Sequence, residues 1–193
     1  PQPIGGEAQG ITLAQGRHGR SLGRQLFLFG EHSARRDGMW AEVVRTKPTA
    51  RLGVAGHGMD EVLEELRRRI DAAGLASSID VIGPMNSRDE AYGLLAAARV
   101  FVLPSHEENW AIVIGEALAV QTPVVAYDLP ELTAVWGQAV RWVPRGDATA
   151  FGRAVLELLM DEETRTALTD AGTRRVADLG WDVVAAREIA LLA

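Results

Sequence analysis

Short apolar runs alternate along most of the chain with longer stretches in which apolar residues recur at helical spacing. The apolar runs, most of them followed directly by glycine or proline, are typical of strands buried on both faces of a sheet. The predicted strands are residues 25–29, 51–55, 79–82, 100–103, 123–126 and 140–143. The predicted helices are residues 60–73, 88–98, 110–119, 148–160, 162–179 and 181–192.

This alternation predicts an α/β fold, a Rossmann-like parallel sheet of about six strands with helices on both faces. Residues 60–73 illustrate the helical pattern, because Val62, Leu63, Leu66 and Ile70 fall on one stripe of a helix. Residues 1–24 are rich in Gly, Gln and Arg and lack sustained periodicity, which indicates a linker or leader. Residues 25–193 are predicted to form one domain.

Composition is that of an ordinary globular domain, with 193 residues, 47% hydrophobic and 24% charged. The net charge of −6 argues against nucleic acid or an anionic membrane as the main partner. The chain has no cysteine, which excludes disulfides, thiolate metal sites and cysteine nucleophiles. It shows neither a long apolar membrane-spanning run nor a secretory signal pattern, so a cytoplasmic location is expected and nothing supports membrane association.

Ligands of a parallel α/β sheet bind beyond the carboxyl ends of its strands. The loops expected there are residues 30–37, 56–60, 83–87, 104–109 and 127–130. Two common phosphate motifs are absent: the Gly56-His57-Gly58 segment lacks a third glycine, and Lys47, the only lysine, follows no glycine-rich loop. There is no Asp-x-Asp pair, and no two histidines have metal-ligand spacing. The histidines, which we interpret as solvated loop residues, are His18, His32, His57 and His106.

The loop after residues 100–103 carries the clearest chemical signal. It reads PSHEENWA and leads into the segment IVIGEALA. A helix beginning near Trp110 points free N–H groups and partial positive charge at the ligand edge, which can hold a diphosphate without a metal. Glu108, just before the helix, is free to accept hydrogen bonds from sugar hydroxyls. Glu116 interrupts an apolar helix and needs partners, which two ribose hydroxyls would supply. The residues leave open the alternative that Glu107 and Glu108 cap the helix while Glu116 is solvated.

These residues resemble the large retaining glycosyltransferase family called group 1 or family four. Its hallmark is two glutamates within the pattern Pro-Ser-x-x-Glu-x-aromatic-Gly, four residues, then Glu-Ala. The matching residues are Pro104, Ser105, Glu108, Trp110, Glu116 and Ala117. The flanking segments LLAAARVFVL and ALAVQTPVVA are also similar, so the resemblance to the carboxyl-terminal domain of that family extends over residues 25 to about 181.

The resemblance implies one half of a GT-B fold that binds a nucleotide-diphosphate sugar for retaining transfer, with no cofactor and no metal. Glu108 would be the catalytic residue, in contact with the transferred sugar, and Glu116 would bind the ribose. The remaining donor-binding residues would be the diphosphate-binding backbone of Asn109, Trp110, Ala111 and Ile112, and the nucleobase-bracketing residues Gly56, Gly58, Gly83, Pro84 and Met85. The acceptor would be held by an amino-terminal domain that is missing here, and this half alone would be inactive.

The loop after the first strand departs from the family. Relatives usually have Gly-Arg there and Lys-Gly a few residues later, and the two cations neutralise the leaving diphosphate. Here Gly30 is followed by Glu31, while Arg35 and Arg36 lie near the place of the lysine. An acidic residue facing a diphosphate repels it, so the arginines are expected to replace the missing cations in the donor site.

Glycine is also replaced at two other positions of the family pattern, by Ala111 and by Gln121. Two further interpretations of the chain stay open. One is a degenerate, non-catalytic binding or interaction module. The other is a different GT-B enzyme, such as a nucleotide-sugar epimerase or a phosphorylase.

The departure at Glu31 gives a first prediction. Replacing both Arg35 and Arg36 with alanine should weaken binding of a nucleoside diphosphate, because two positive charges are removed. Glu31→Arg should strengthen binding by relieving like-charge repulsion. Calorimetric titration of one nucleoside diphosphate into the unchanged chain and these two variants measures both effects. Equal affinities across the three proteins would reject the replacement and favour the non-catalytic interpretation.

Overall fold

A computed structural model describes residues 26–29, 36–56 and 60–180 of the chain. Six strands form one wholly parallel sheet with the order β3-β2-β1-β4-β5-β6. The strands are β1 (Leu26–Phe29), β2 (Leu52–Ala55), β3 (Ile79–Gly83), β4 (Val100–Leu103), β5 (Val124–Tyr127) and β6 (Val140–Val143). The helices are α1 (Arg36–Thr46), α2 (Asp60–Ala72), α3 (Arg88–Ala97), α4 (Ile112–Ala119), α5 (Pro130–Trp136), α6 (Ala148–Met160) and α7 (Glu162–Asp178). The predicted Rossmann-like α/β fold is confirmed, and the strand order reverses between β1 and β4.

Helices cover both faces of the sheet because alternate residues of each central strand point to opposite sides. In β4, Val100 and Val102 belong to a core shared with α1, α2 and α6. Phe101 and Leu103 belong to a second core, shared with α3, α4 and α5. All residues of β4 are buried, as the continuous apolar run predicts, whereas the edge strands β3 and β6 are partly exposed.

Capping side chains fix the starts of several helices. Ser87 accepts a hydrogen bond from the Glu90 amide at the start of α3, and Asp147 accepts one from the Ala150 amide at the start of α6. At α7, Asp161 accepts from both the hydroxyl and the amide of Thr164, and these bonds hold the pKa of the Asp161 carboxyl below its ordinary value of 3.8. The caps end the preceding loops at defined residues.

Helix α1 is the main element that the sequence pattern does not predict. Residues 30–37 were expected to form a loop, yet α1 begins at Arg36, and it buries Met39, Trp40 and Val43 against the sheet. Gly152 of α6 permits the close approach of α1, because a Cβ atom there would lie 2.9 Å from the Met39 carbonyl oxygen. The pattern is weak because α1 contains Gly38 and two adjacent valines, residues of low helix propensity.

Two smaller differences are an exposed valine in α2 and helix α5, which the sequence pattern also does not predict. In α2 the predicted stripe is only partly right, since Ile70 is buried but Val62 is exposed. The predicted linker (residues 1–24) and last helix (residues 181–192) lie outside the described residues. None of the described helices combines the length and apolarity that a membrane span requires.

Helices α4 and α5 pack closely at a single glycine. A Cβ atom on Gly115 would lie 2.7 Å from Cη2 of Trp136, and the Trp136 side chain is almost fully buried. On another side of α4, a Cβ atom on Gly172 of α7 would lie 2.6 Å from Cδ2 of Leu118. Glycine at positions 115 and 172 therefore allows α5 and α7 to pack closely against α4 and hold it on the sheet.

Gly115→Ala should destabilise the chain. Overpacking against Trp136 costs about 1–3 kcal/mol, which exceeds the ~1 kcal/mol that alanine gains in helix propensity. Urea denaturation measures the change in the free energy of unfolding. The matched control is Gly38→Ala in α1, where the added Cβ atom would meet only Ala148 at an ordinary 3.8 Å. If the two variants were equally stable, the contact between Gly115 and Trp136 would not be tight.

Candidate functional site

The loop between β4 and α4 lies at the carboxyl edge of the sheet, next to the point where the strand order reverses. Glu108 is half-buried there, while Asn109 and Trp110 are exposed. Among the residues that the structure describes, none makes a hydrogen bond or ion pair to the Glu108 carboxylate. Its oxygens can accept hydrogen bonds from a ligand in the cleft.

Helix α4 begins two residues later than predicted, at Ile112 instead of Trp110. The residue before it, Ala111, has left-handed backbone angles, φ 44° and ψ 61°, and its carbonyl accepts a hydrogen bond of 2.8 Å from the Ile114 amide. The backbone turns sharply at Ala111. By helix geometry the first amides of α4, which include those of Ile112 and Val113, have no acceptor within the helix and are available to an anion.

A tryptophan of α5 holds the backbone just before this turn. The Trp136 indole N–H donates a hydrogen bond of 3.3 Å to the Trp110 carbonyl, while the Trp110 side chain is 57% exposed. Ile112, at the start of α4, is also exposed. The buried Trp136 thus fixes the backbone that leads into α4, and the exposed side chains of Trp110 and Ile112 lie on either side of it on the surface.

Glu116 lies in the second turn of α4 and is half-buried. The Tyr92 hydroxyl of α3 donates a hydrogen bond of 3.3 Å to Oε1 of Glu116. The Glu116 carboxylate is therefore hydrogen-bonded within the fold. This argues against the alternative that Glu116 is simply a solvated helix residue. A carboxylate accepts about four hydrogen bonds, and Tyr92, its one partner within the described ranges, takes up only part of that capacity.

The loops after β2 and β3 meet at the same edge. Gly56 donates a backbone hydrogen bond of 2.9 Å to the Gly83 carbonyl, and Gly83 has a φ of 85°, which favours glycine. Pro84 is exposed, whereas Met85 packs against the core shared with α3, α4 and α5. The structure therefore brings together the predicted loops around Gly56 and Gly83.

Several predicted site residues lie outside the described part of the chain. They are Gly30, Arg35 and Gly58, together with Glu31, which departs from the family pattern. Arg36 is the first residue of α1. Their roles stay predictions.

Arg145, in the loop after β6, is a residue that the sequence analysis missed. Its amide donates a hydrogen bond of 2.9 Å to Asp128, and its guanidinium donates one of 3.3 Å to the His106 carbonyl. The His106 ring packs on Tyr127, with centroids 5.2 Å apart, so this histidine is not a freely solvated loop residue. Three loops at the carboxyl edge are tied together, and a cation lies next to the segment that carries Glu108.

The missed residues share one property. Tyr92, Trp136 and Arg145 belong to none of the loops predicted to carry the site, and each reaches it through a contact between distant parts of the chain. Of these three residues, only Arg145 had a signal in the sequence. The loop after the last strand, which carries it, also lies at the carboxyl edge where ligands bind. In the described part of the chain, no group of three or more His, Asp or Glu residues is arranged to hold a metal ion. Metal independence stays a prediction.

Residues 39–175 match the model of the family described as Glycosyl transferases group 1. The chain is 30% identical over 175 residues to a phosphatidyl-myo-inositol mannosyltransferase of Mycobacterium leprae, a match that covers 86% of this chain and 45% of that protein. It is 29% identical over 143 residues to a D-inositol 3-phosphate glycosyltransferase of Corynebacterium urealyticum, covering 72% of this chain and 33% of that protein. The chain therefore spans less than half the length of these curated relatives.

A solved structure supports the same fold. The alpha,alpha-trehalose 6-phosphate synthase from Burkholderia multivorans superposes with a TM-score of 0.74 at 13% identity, over 88% of this chain and 42% of that one. At this identity the likeness concerns the fold, which is that of the GT-B glycosyltransferases. The match to the family begins at residue 39, after the position of Glu31 in the chain.

Both positions at which glycine of the family pattern is replaced have left-handed backbones. Ala111 has a φ of 44° and Gln121, just after α4, has a φ of 62°. Such angles cost a residue with a side chain roughly 1–2 kcal/mol, whereas glycine loses about 0.5–1 kcal/mol through its greater flexibility when unfolded. The structure thus gives a physical reason for glycine at both places in the family pattern.

Ala111→Gly and Gln121→Gly should each raise the free energy of unfolding by about 0.5–1 kcal/mol, because each relieves a strained backbone angle. Thermal denaturation of the single variants measures the change. Gln121 lies at the opposite end of α4 from the site, so it separates relief of strain from any effect on the ligand edge. A fall in stability for both variants would contradict the left-handed conformation.

Proposed function

The chain belongs to the group 1 family of glycosyltransferases, and we propose that it is the donor-binding half of a GT-B enzyme. In this proposal it binds a nucleotide-diphosphate sugar and supports retaining, metal-independent transfer of the sugar. The observation that carries the proposal is the Glu116 carboxylate. It lies within an apolar, closely packed helix at the ligand edge, and among the described residues only the Tyr92 hydroxyl bonds to it. A carboxylate kept in such a place needs hydrogen-bond donors, and vicinal ribose hydroxyls supply them.

Glu108 is proposed to accept hydrogen bonds from the transferred sugar. Its half-buried side chain has no partner among the described residues, and it lies in the loop that leads directly into the amino terminus of α4. The first amides of α4 and the turn at Ala111 lie between Glu108 and Glu116. This order along the chain matches the order sugar, diphosphate, ribose in the donor.

The nucleobase is proposed to lie against the paired loops after β2 and β3. The hydrogen bond between Gly56 and Gly83 joins these loops, and the exposed Pro84 follows. They share the carboxyl edge with the α4 loop on a sheet that has β1 in between. A donor lying across this edge would therefore cross the point where the strand order reverses.

A second domain is proposed to hold the acceptor and to exclude water. The curated relatives named above are more than twice as long as the segment they share with this chain. A second domain is needed to position the acceptor and to exclude water from the active site. We therefore propose that this chain alone transfers no sugar. A cytoplasmic location remains part of the proposal.

Glu116→Ala should weaken binding of a nucleoside diphosphate by about 1–3 kcal/mol, because charge-assisted hydrogen bonds to the ribose are lost. The measurement is calorimetric titration with uridine, guanosine and adenosine diphosphates, and the tightest ligand is taken forward. Circular dichroism checks that the variant stays folded.

The matched control is Glu163→Ala, which removes an exposed carboxylate from the first turn of α7. That end of α7 lies at the amino edge of the sheet, since neighbouring Glu162 pairs with Arg99, just before β4. The control should bind as the unchanged chain does. If Glu116→Ala bound the diphosphate as tightly as the unchanged chain, Glu116 would not bind the ribose. If the unchanged chain bound none of the three diphosphates, the non-catalytic interpretation would be favoured.

A further inference from the structure

The hydrogen bond between Tyr92 and Glu116 joins two helices at the place where the proposed ribose site lies. Tyr92 is in the second turn of α3 and Glu116 is in the second turn of α4, and both helices start at the carboxyl edge of the sheet. The Tyr92 side chain is half-buried and packs against the core shared by α3, α4 and α5. Its hydroxyl is therefore held in place by the packing of its own ring.

The direction of this hydrogen bond has a chemical consequence. An ionised carboxylate only accepts, so the tyrosine proton lies between the two oxygens. The phenol oxygen keeps its lone pairs, and among the described residues none bonds to Oε2 of Glu116. The pair thus presents acceptors that suit two neighbouring hydroxyl donors.

Tyr92 also restrains a side chain that would otherwise be mobile. A glutamate on a helix samples many rotamers, and fixing them on ligand binding costs free energy. A carboxylate already fixed by a rigid aromatic hydroxyl loses less of this freedom when the ligand arrives. This benefit applies only to a ligand that bonds to the carboxylate.

We propose that Tyr92 is a positioning residue that fixes Glu116 for the two ribose hydroxyls and so makes the site selective for ribonucleotides over deoxyribonucleotides. The inference rests on the proposed function, since it assigns a partner to the same carboxylate. A purely structural brace between α3 and α4 would affect all ligands equally. Selectivity for the ribose hydroxyls is the property that separates the two roles.

The experiment measures the affinities of the unchanged chain, Tyr92→Phe and Glu116→Ala for two ligands by calorimetry. The ligands are the tightest-binding of uridine, guanosine and adenosine diphosphates and its 2′,3′-dideoxy counterpart. Phenylalanine keeps the packed ring and removes only the hydroxyl. Tyr92→Phe should bind the ribonucleotide about fivefold to tenfold more weakly and the dideoxynucleotide within about twofold of the unchanged chain.

The control is Thr164→Val, which deletes a hydroxyl-to-carboxylate hydrogen bond of the same kind, 2.7 Å to Asp161, at the distant start of α7. It should leave both affinities unchanged, and NMR titration should show the pKa of Asp161 rising towards 3.8, which verifies that the bond was lost.

The outcomes separate the inference from the function on which it rests. If the unchanged chain and Tyr92→Phe prefer the ribonucleotide equally, while Glu116→Ala loses the preference, the Tyr92 inference is overturned and the ribose role of Glu116 stands. Equal weakening of both ligands in Tyr92→Phe would show a structural brace and also overturn the inference. If the unchanged chain binds both ligands equally, or binds none of the three diphosphates, the ribose role and the inference fall together.

Discussion

The short path from β4 to α4 constrains the whole carboxyl edge, because burial fixes both of its ends. The residues of β4 are closed in on both faces of the sheet, and α4 is held by Trp136 on one side and by Leu118 against Gly172 on another. The chain must join these fixed ends, and it does so with a left-handed residue at Ala111. Glu108 and Glu116 take their positions from that geometry, since one precedes the turn and the other follows it on a locked helix.

The strands that are buried at the centre of the sheet were predicted from the sequence. The centre of the sheet is recognisable because β2, β4 and β5 are continuously apolar, and β4 and β6 have the predicted bounds. Prediction fails where packing overrides local preference. Helix α1 contains residues of low helix propensity, and what stabilises it is the contact of Met39 and Trp40 with the core and its approach to Gly152.

The residues of the candidate site likewise fall into those that the sequence predicts and those that it does not. Glu108 stands out in the sequence because it lies in the loop after a buried strand, and Glu116 because it interrupts an apolar helix. Tyr92 lies 24 residues from Glu116, and Arg145 lies 39 residues from the carbonyl it contacts. Such pairings depend on how two crossovers pack against each other, and no periodicity in one segment encodes them. The left-handed angles at Ala111 and Gln121 are equally hidden, since neither residue type suggests them.

The exposed indole of Trp110 gives the candidate site an optical reporter of its own. The other tryptophans with a described side chain are Trp40, Trp136 and Trp142, of which the first two are buried and the third is partly covered. An indole in water emits at longer wavelength than a buried one and is open to collisional quenchers. A molecule or domain that binds over the start of α4 would shield Trp110 from water. Binding at this edge would therefore reduce the long-wavelength part of the tryptophan emission, which can be measured without an added label.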